Sequence, residues 1–335
     1  MDIDIQALHQ RTPITDGHAD SLMWNRDLSR ASSEGHVDFP RLRQAGVKIQ
    51  CFTLVTRGLP FINGFPVFAW HRGWPREARR SEWTRTLWQL NQMEAFCLKS
   101  NGAASIVKTG TDLQENLHSN TLSVVLGIEG AHALEAQVDR IQELFKRGVR
   151  FMSLTHLSNN ELGGASSPLM GNRGLTALGR NVLEVMVDVG MAVDIAHASQ
   201  RTLDEILEHP RARLFCSHGG VVGAKALWRN IPDSALKKIA ERGGVMGVIF
   251  APMYLGGRRF EDVARHLEHT MDVMGVEGAA LGSDFDGMVP LPRGMRDVRD
   301  LHLLTECLLQ RGHSEETVER ILGRNFRRFL AELLG

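Results

Sequence analysis

Residues 175 to 219 read LTALGRNVLEVMVDVG, MAVDIAH, ASQRTLDEILEHPRA, RLFCSHG, and this run decides the fold. A helical pattern (175–190) gives way to a short apolar strand (191–197). A second helix (202–209) then leads into a second apolar strand (213–219). Apolar strands without a polar face must be covered on both sides, and helices between them indicate a parallel sheet. Each carries a histidine at or next to its C-terminal end, His197 and His218.

The same unit recurs outward in both directions. Strand patterns precede it at PIT (13–15), VKIQCFTLV (47–55), SVVLGIE (123–129) and VRFMSLTH (149–156), and follow it at VMGVIF (245–250) and AALGSDF (279–285). Further helices are expected over 81–100, 138–148, 233–244 and 260–275. Eight strands alternating with helices point to a closed (β/α)8 barrel, and the 335-residue length suits a barrel core of about 250 residues with added loops. Helices over 298–311 and 314–334 would seal it. With no repeat, low-complexity tract or linker, one domain over 1–335 is expected. The irregular part is a long loop from 57 to about 80. Its Pro, Gly, Phe and Trp residues up to Trp74 suit a cover over the barrel mouth, a subunit contact or a packed surface loop.

Composition narrows the function classes. Thirty-nine basic residues balance thirty-nine acidic ones, so no global field would draw in nucleic acid or an anionic membrane. A small neutral or zwitterionic substrate fits better. The N-terminus does not read as a signal peptide, and the longest uncharged stretch, Gly243 to Gly257, is too short and broken to span a membrane. A cytoplasmic location is expected. Cys51, Cys97, Cys216 and Cys307 are widely spaced and read as reduced thiols.

Metal-competent residues gather at the C-terminal ends of these strands: DGHAD, IEGAH, LTH, DIAH, CSH and GSDFDG. In a (β/α)8 barrel those ends converge on the face that carries the active site. A lone histidine more often packs or hydrogen-bonds than binds metal, and a single His-x-Asp (His18, Asp20) is weak by itself. Histidines ending three consecutive strands (His156, His197, His218), with Glu129 ending another, seldom arise from packing needs and point to a metal site. His132, just past Glu129, is expected to pack or hydrogen-bond behind the ligands. His302 falls in a helix. The remaining eight, at 9, 36, 71, 118, 209, 266, 269 and 313, are assigned to the surface.

The ordered motifs DGHAD, GIEGAH, RFMSLTHLSNNE, VDIAHAS, CSHGG, WRNIPD and GSDFDG resemble the renal or membrane dipeptidase family within the amidohydrolase-type barrels. The match runs over about 14 to 290, with a weaker echo in ILGRNF (321–326). The resemblance implies two zinc ions per chain, with His18 and Asp20 on one, His197 and His218 on the other, and Glu129 bridging. It also implies that His156 meets the substrate carbonyl, Arg229 the terminal carboxylate, and Asp284 the substrate amine and the catalytic proton. A zinc pair sharing a hydroxide would cleave a dipeptide, with a D-residue tolerated at the C-terminal position. A homodimer is implied too.

Two departures stand out. Phe250 occupies the place where family members often carry tyrosine, and the chain ends in FLAELLG without an anchor signal, which resembles the soluble bacterial branch. Asp286 competes with Asp284 for the catalytic role. The competing functions are a related hydrolase acting on another amide or a lactone, and a non-catalytic binding protein that retains the fold. A requirement for Arg229 separates dipeptides from the first, and retention of every ligand argues against the second.

Overall fold

A computed structural model describes residues 4–58 and 64–335. It contains the strands β1 (Ile14–Asp16), β2 (Val47–Val55), β3 (Ala104–Ile106), β4 (Leu122–Glu129), β5 (Val149–Ser153), β6 (Ala192–Asp194), β7 (Leu214–Gly219), β8 (Met246–Val248) and β9 (Ala279–Leu281). β1, β2 and β4 to β9 pair side by side in parallel, and the pairing of Asp16 with Leu281 joins β9 back to β1. The expected (β/α)8 barrel is therefore closed. β3 was not expected. Its three residues carry no apolar run to mark them, and it pairs only with Leu122, Ser123 and Val124, ahead of the point where β5 joins β4 at Leu126.

Helices form where local chemistry starts and stops them. Thr176 accepts the Gly179 N–H to open the helix Ala177–Val189, Gly190 closes it at φ 83°, and Val182, Leu183 and Met186 face inward. Ser199 likewise caps Gln200–Glu208, which buries Leu203, Ile206 and Leu207. Several strands stop sooner than their apolar runs suggested: β5 ends at Ser153, β6 at Asp194 and β9 at Leu281. His197 and Asp284 then adopt left-handed backbone, φ 65° and 62°, which extended pairing cannot contain. The polar residues read as strand ends thus lie mostly in the loops just beyond.

The echo ILGRNF is structural. The final helix passes through a wide π turn, Arg320–Arg324, before continuing as Asn325–Leu334. A Cβ at Gly323 would strike the Pro13 carbonyl, and Asn325 donates from Nδ2 to the carbonyls of Val276 and Ala279 at 2.6 and 2.7 Å. The turn lets the helix seat against β1 and β9. At the other end of the barrel, the described part of the long loop packs over the mouth. Phe65, Ala69, Trp74 and Ala78 form a small apolar cluster with Met23 and Val55, and Trp74 lies 4.1 Å from Trp88 between ring centroids. Phe61 and its neighbours at 59–63 lie outside the described residues. Among those described, no helix is long and apolar enough to cross a membrane.

Two histidines assigned to the surface are buried, His9 and His266. His9 Nε2 pairs with Thr305 Oγ1 at 2.7 Å, and the Val221 N–H donates to His266 Nδ1 at 2.9 Å. The sequence misled because polar neighbours on a helix do not reveal which face a second element covers. Burial lowers both imidazoles from 6.5 to about 4. The unfolded chain therefore takes up protons first. Stability held by the neutral rings is complete above 6.5 and lost as pH falls toward about 4, by up to about 3 kcal/mol each. Urea unfolding should show stability falling across this window. His266→Asn, whose Oδ1 can still accept the Val221 N–H, should flatten the slope; an unchanged slope would show that His266 does not titrate in this way.

Candidate metal centre

The loops beyond the strands bring the expected residues into one cluster. Ala19 bridges to Phe285, its carbonyl accepts the Thr53 N–H at 3.0 Å, and the Asp20 N–H donates to the Phe285 carbonyl at 2.8 Å. This extended backbone turns His18 and Asp20 to the same side, as alternation requires. Glu129 is the last residue of β4, and His218 lies within β7. His156, His197 and Asp284 enter from the loops after β5, β6 and β9.

Glu129 is central. Its Oε1 lies 3.0 Å from His197 Nε2, 3.4 Å from His218 Nε2 and 3.7 Å from His18 Nε2. Its Oε2 is buried without a hydrogen-bond partner among the described residues and lies 3.4 Å from His156 Nε2. His18 Nε2 is also 3.3 Å from Asp20 Oδ1 and 4.0 Å from Asp284 Oδ1. His197 Nε2 and His218 Nε2 are 3.0 Å apart. Two nitrogens on one tetrahedral zinc are roughly 3.3 Å apart, so this spacing suits a shared ion. Imidazole and carboxylate donors, with an orphaned carboxylate oxygen among them, fit the zinc that the motifs suggest.

The electrostatics carry the same message. Burial raises Glu129 well above the usual carboxylate range, and Asp20 raises it further. Asp284 is likewise raised, chiefly by burial. Burial alone would lower His18, yet Asp20, Glu129 and Asp284 outweigh it and push the imidazole up to about 10. His197 and His218 are held neutral by burial. Three buried carboxylates faced by a single basic imidazole, His18, and otherwise by rings held neutral form a site short of positive charge, which divalent cations would supply.

Other expected residues divide. His156 Nδ1 pairs with the Arg57 carbonyl at 3.1 Å, which requires the proton on Nδ1. Burial lowers this ring to about 4, so its Nε2 presents a lone pair when neutral and a donor only when protonated. Arg229, which the resemblance sets against a terminal carboxylate, is buried. One Nη2 contact reaches the His218 carbonyl at 3.0 Å, while Nε and Nη1 have no partner among the described residues. Asp286 turns away from the cluster. Its carboxylate is gripped by Arg26, Ser21 and the His36 N–H, and its carbonyl accepts from Trp24 Nε1 at 2.6 Å. His132 is buried with its ring beside Gly130, and its Nε2 has no partner among the described residues.

A cavity of about 320 Å³ opens onto Asp20, Glu129, His156, His197, His218 and Asp284. Its other wall is apolar, with Met23, Val55, Phe65, Met253, Met288 and Val289, and Tyr254 also lines it. A tyrosine does line the cavity, four residues after Phe250. Phe250 is fully buried against Phe285, and the short helix Pro252–Leu255 carries Tyr254 to the cavity, with the Arg229 guanidinium 5.8 Å from its ring centre. Only the helical turn after VIFAP could have signalled this. Two carboxylates the sequence reading passed over, Asp16 and Asp194, lie beneath the cluster. Asp16 binds the Ser283 N–H and hydroxyl, each at 2.8 Å, and Gln50 Nε2 at 2.7 Å, tying β1 and β2 to the loop that carries Asp284.

Comparisons with known proteins identify relatives of this chain. An uncharacterized dipeptidase of Schizosaccharomyces pombe is 28% identical over 327 residues, covering 93% of this chain and 79% of the relative. Dipeptidase aclJ of Aspergillus oryzae is 28% identical over 345 residues, covering 96% and 78%. Among solved structures, a metallo peptidase from Rhodobacter sphaeroides, liganded with a phosphinate mimic of the dipeptide L-Ala-D-Ala, superposes with a TM-score of 0.84 at 23% identity. It covers 97% of this chain and 99% of its own. The family model described as Membrane dipeptidase (Peptidase family M19) matches residues 3–333, and the chain belongs to that family.

Proposed function

We propose that this chain hydrolyses the peptide bond of dipeptides with two zinc ions. The observation that carries the reading is a buried guanidinium, Arg229, with two nitrogens that find no partner among the described residues, beside a small cavity floored by imidazoles and carboxylates. His18 and Asp20 would hold one ion, His197 and His218 the other, and Glu129 both. Bound there, the ions would polarise the scissile carbonyl and lower the pKa of the attacking water.

The protein's own groups supply the rest. A buried cation lacking an anion is costly, and a substrate carboxylate reaching Arg229 would satisfy its planar fork, with Tyr254 alongside. That contact sets the C-terminal end of the substrate. Asp284, whose proton affinity burial has raised, is suited to take the water proton and deliver it to the leaving amine, and it also faces the substrate amine. His156 donates from Nε2 once protonated, and negative charge developing on the carbonyl oxygen favours that form. The Rhodobacter relative's ligand, a mimic of a dipeptide with a C-terminal D-residue, supports tolerance of such substrates here.

Metal content is the first check. Purified protein should hold about two zinc ions per chain, and chelation should abolish dipeptide cleavage until zinc is restored; full activity in rigorously metal-free protein would sink the reading.

The two aspartates should separate. Asp284→Asn is expected to lower kcat by at least about a hundredfold with zinc content unchanged, because proton transfer acts in the transition state. Asp286→Asn should instead loosen the loop held by Arg26, with stability falling more than kcat. The reverse pattern would exchange their roles.

Arg229→Ala should cost roughly 2 to 5 kcal/mol in kcat/KM, a loss of tens- to thousands-fold. Wild type should greatly prefer a free dipeptide over its C-terminal amide, and the variant should lose most of that preference. Equal cleavage of both by the wild type would favour another amide or a lactone as substrate.

A further inference from the structure

We propose that Ser217 and Asp194 act as a positioning pair, one hydroxyl fixing the tautomer of both His18 and His218 so that each presents Nε2 to a metal. The metal consequence rests on the two-zinc reading above; the tautomer itself does not.

The polarity follows from counting donors. Asp194 Oδ1 accepts the N–H groups of Ala196 and Ser217 at 3.0 and 2.9 Å, and Oδ2 faces the Ser217 hydroxyl at 2.6 Å. Every partner of this carboxylate is a donor. A hydroxyl has a single proton, and here it goes to Asp194, so Ser217 Oγ can only accept further bonds. The groups facing it are His218 Nδ1 at 2.8 Å and His18 Nδ1 at 3.3 Å. Each must carry its proton on Nδ1. In the neutral ring this leaves the lone pair on Nε2, the nitrogen that faces Glu129 Oε1 in both residues.

An independent contact requires the same form. Arg229 Nη2 lies 3.1 Å from His218 Nε2, and a guanidinium has no lone pair to offer, so Nε2 must be the acceptor. The packing also looks arranged around Ser217. A Cβ at Gly17, Gly247 or Gly282 would press on its backbone carbonyl, so three small neighbours from β8 and the loops after β1 and β9 let β7 approach closely. The rings of His18 and His218 lie 3.8 Å apart, near enough for one oxygen to serve both. Because the two histidines belong to different proposed ions, one serine–aspartate pair would orient a ligand of each.

Asp194→Asn is the decisive variant. Its Oδ1 can keep both backbone N–H groups, which turns the amide NH2 toward Ser217 Oγ and reverses the hydroxyl, now a donor to Nδ1. His218 should then carry its proton on Nε2, with Arg229 Nη2 giving up that nitrogen and keeping the His218 carbonyl. Nitrogen NMR of histidine-labelled, metal-free protein should show His218 protonated on Nδ1 in the wild type and on Nε2 in this variant. Zinc affinity, measured by competition with a chelator, should fall about 10- to 100-fold in Asp194→Asn. Ser217→Ala, which removes the shared acceptor with little change of shape, should also weaken zinc binding, and it carries the test should the first variant fail to fold. A wild-type His218 protonated on Nε2, or zinc affinity within twofold of wild type in both variants, would overturn the proposal. Failure of the wild type to bind zinc would refute the two-zinc reading alone, and the nitrogen spectrum of His218 would still decide the pair.

Discussion

The constraint on which this structure depends is the burial of Asp20, Glu129 and Asp284 together at the mouth of the barrel. Like charges so close, shielded from water, cannot all remain ionised without compensation. The protein alone offers one strongly basic imidazole, His18, and burial raises the proton affinity of Glu129 and Asp284. Much of the surrounding architecture restrains this unfavourable arrangement. Left-handed backbone at His197 and Asp284 aims side chains that a regular strand would misdirect. Asp16 holds the Asp284 loop from below, and Asp286 ties its far side to Arg26 and His36.

Much of this was legible in the amino-acid sequence, for physical reasons. Strands buried on both faces must be apolar throughout, so seven of the eight barrel strands announced themselves as runs, with the short β1 marked only by PIT. Ligands gather at their C-terminal ends because the fold exposes those ends to one another, which made His18, Asp20, Glu129, His156, His197, His218 and Asp284 readable as a set. Contacts set by packing between distant elements were not readable. The depth of Arg229, the turning of Asp286 away from the cluster and the burial of His9 and His266 each depend on which helix or loop lies alongside. Ser217 and Asp194 stood inside the quoted motifs, but their importance comes from the direction of a hydrogen bond, which no residue pattern records.

The cavity sets a polar floor against an apolar wall. Arg229 lies next to the floor, beneath His218, so a charged end of a substrate and its side chains would meet different surfaces. Met253 and Met288 at the rim are largely exposed, and flexible thioether side chains adapt to varied apolar shapes. If Arg229 takes a carboxylate as proposed, this division would combine strict recognition of that end with latitude in the side chains it accepts.

Tyr254 is the only tyrosine in the chain, and it stands on the wall of this cavity beside the Arg229 guanidinium. Biosynthetic incorporation of fluorotyrosine would therefore place a single fluorine resonance within the site. One signal, free of overlap, would report occupancy and motion at the cavity wall in a protein whose six tryptophans make ordinary fluorescence difficult to assign.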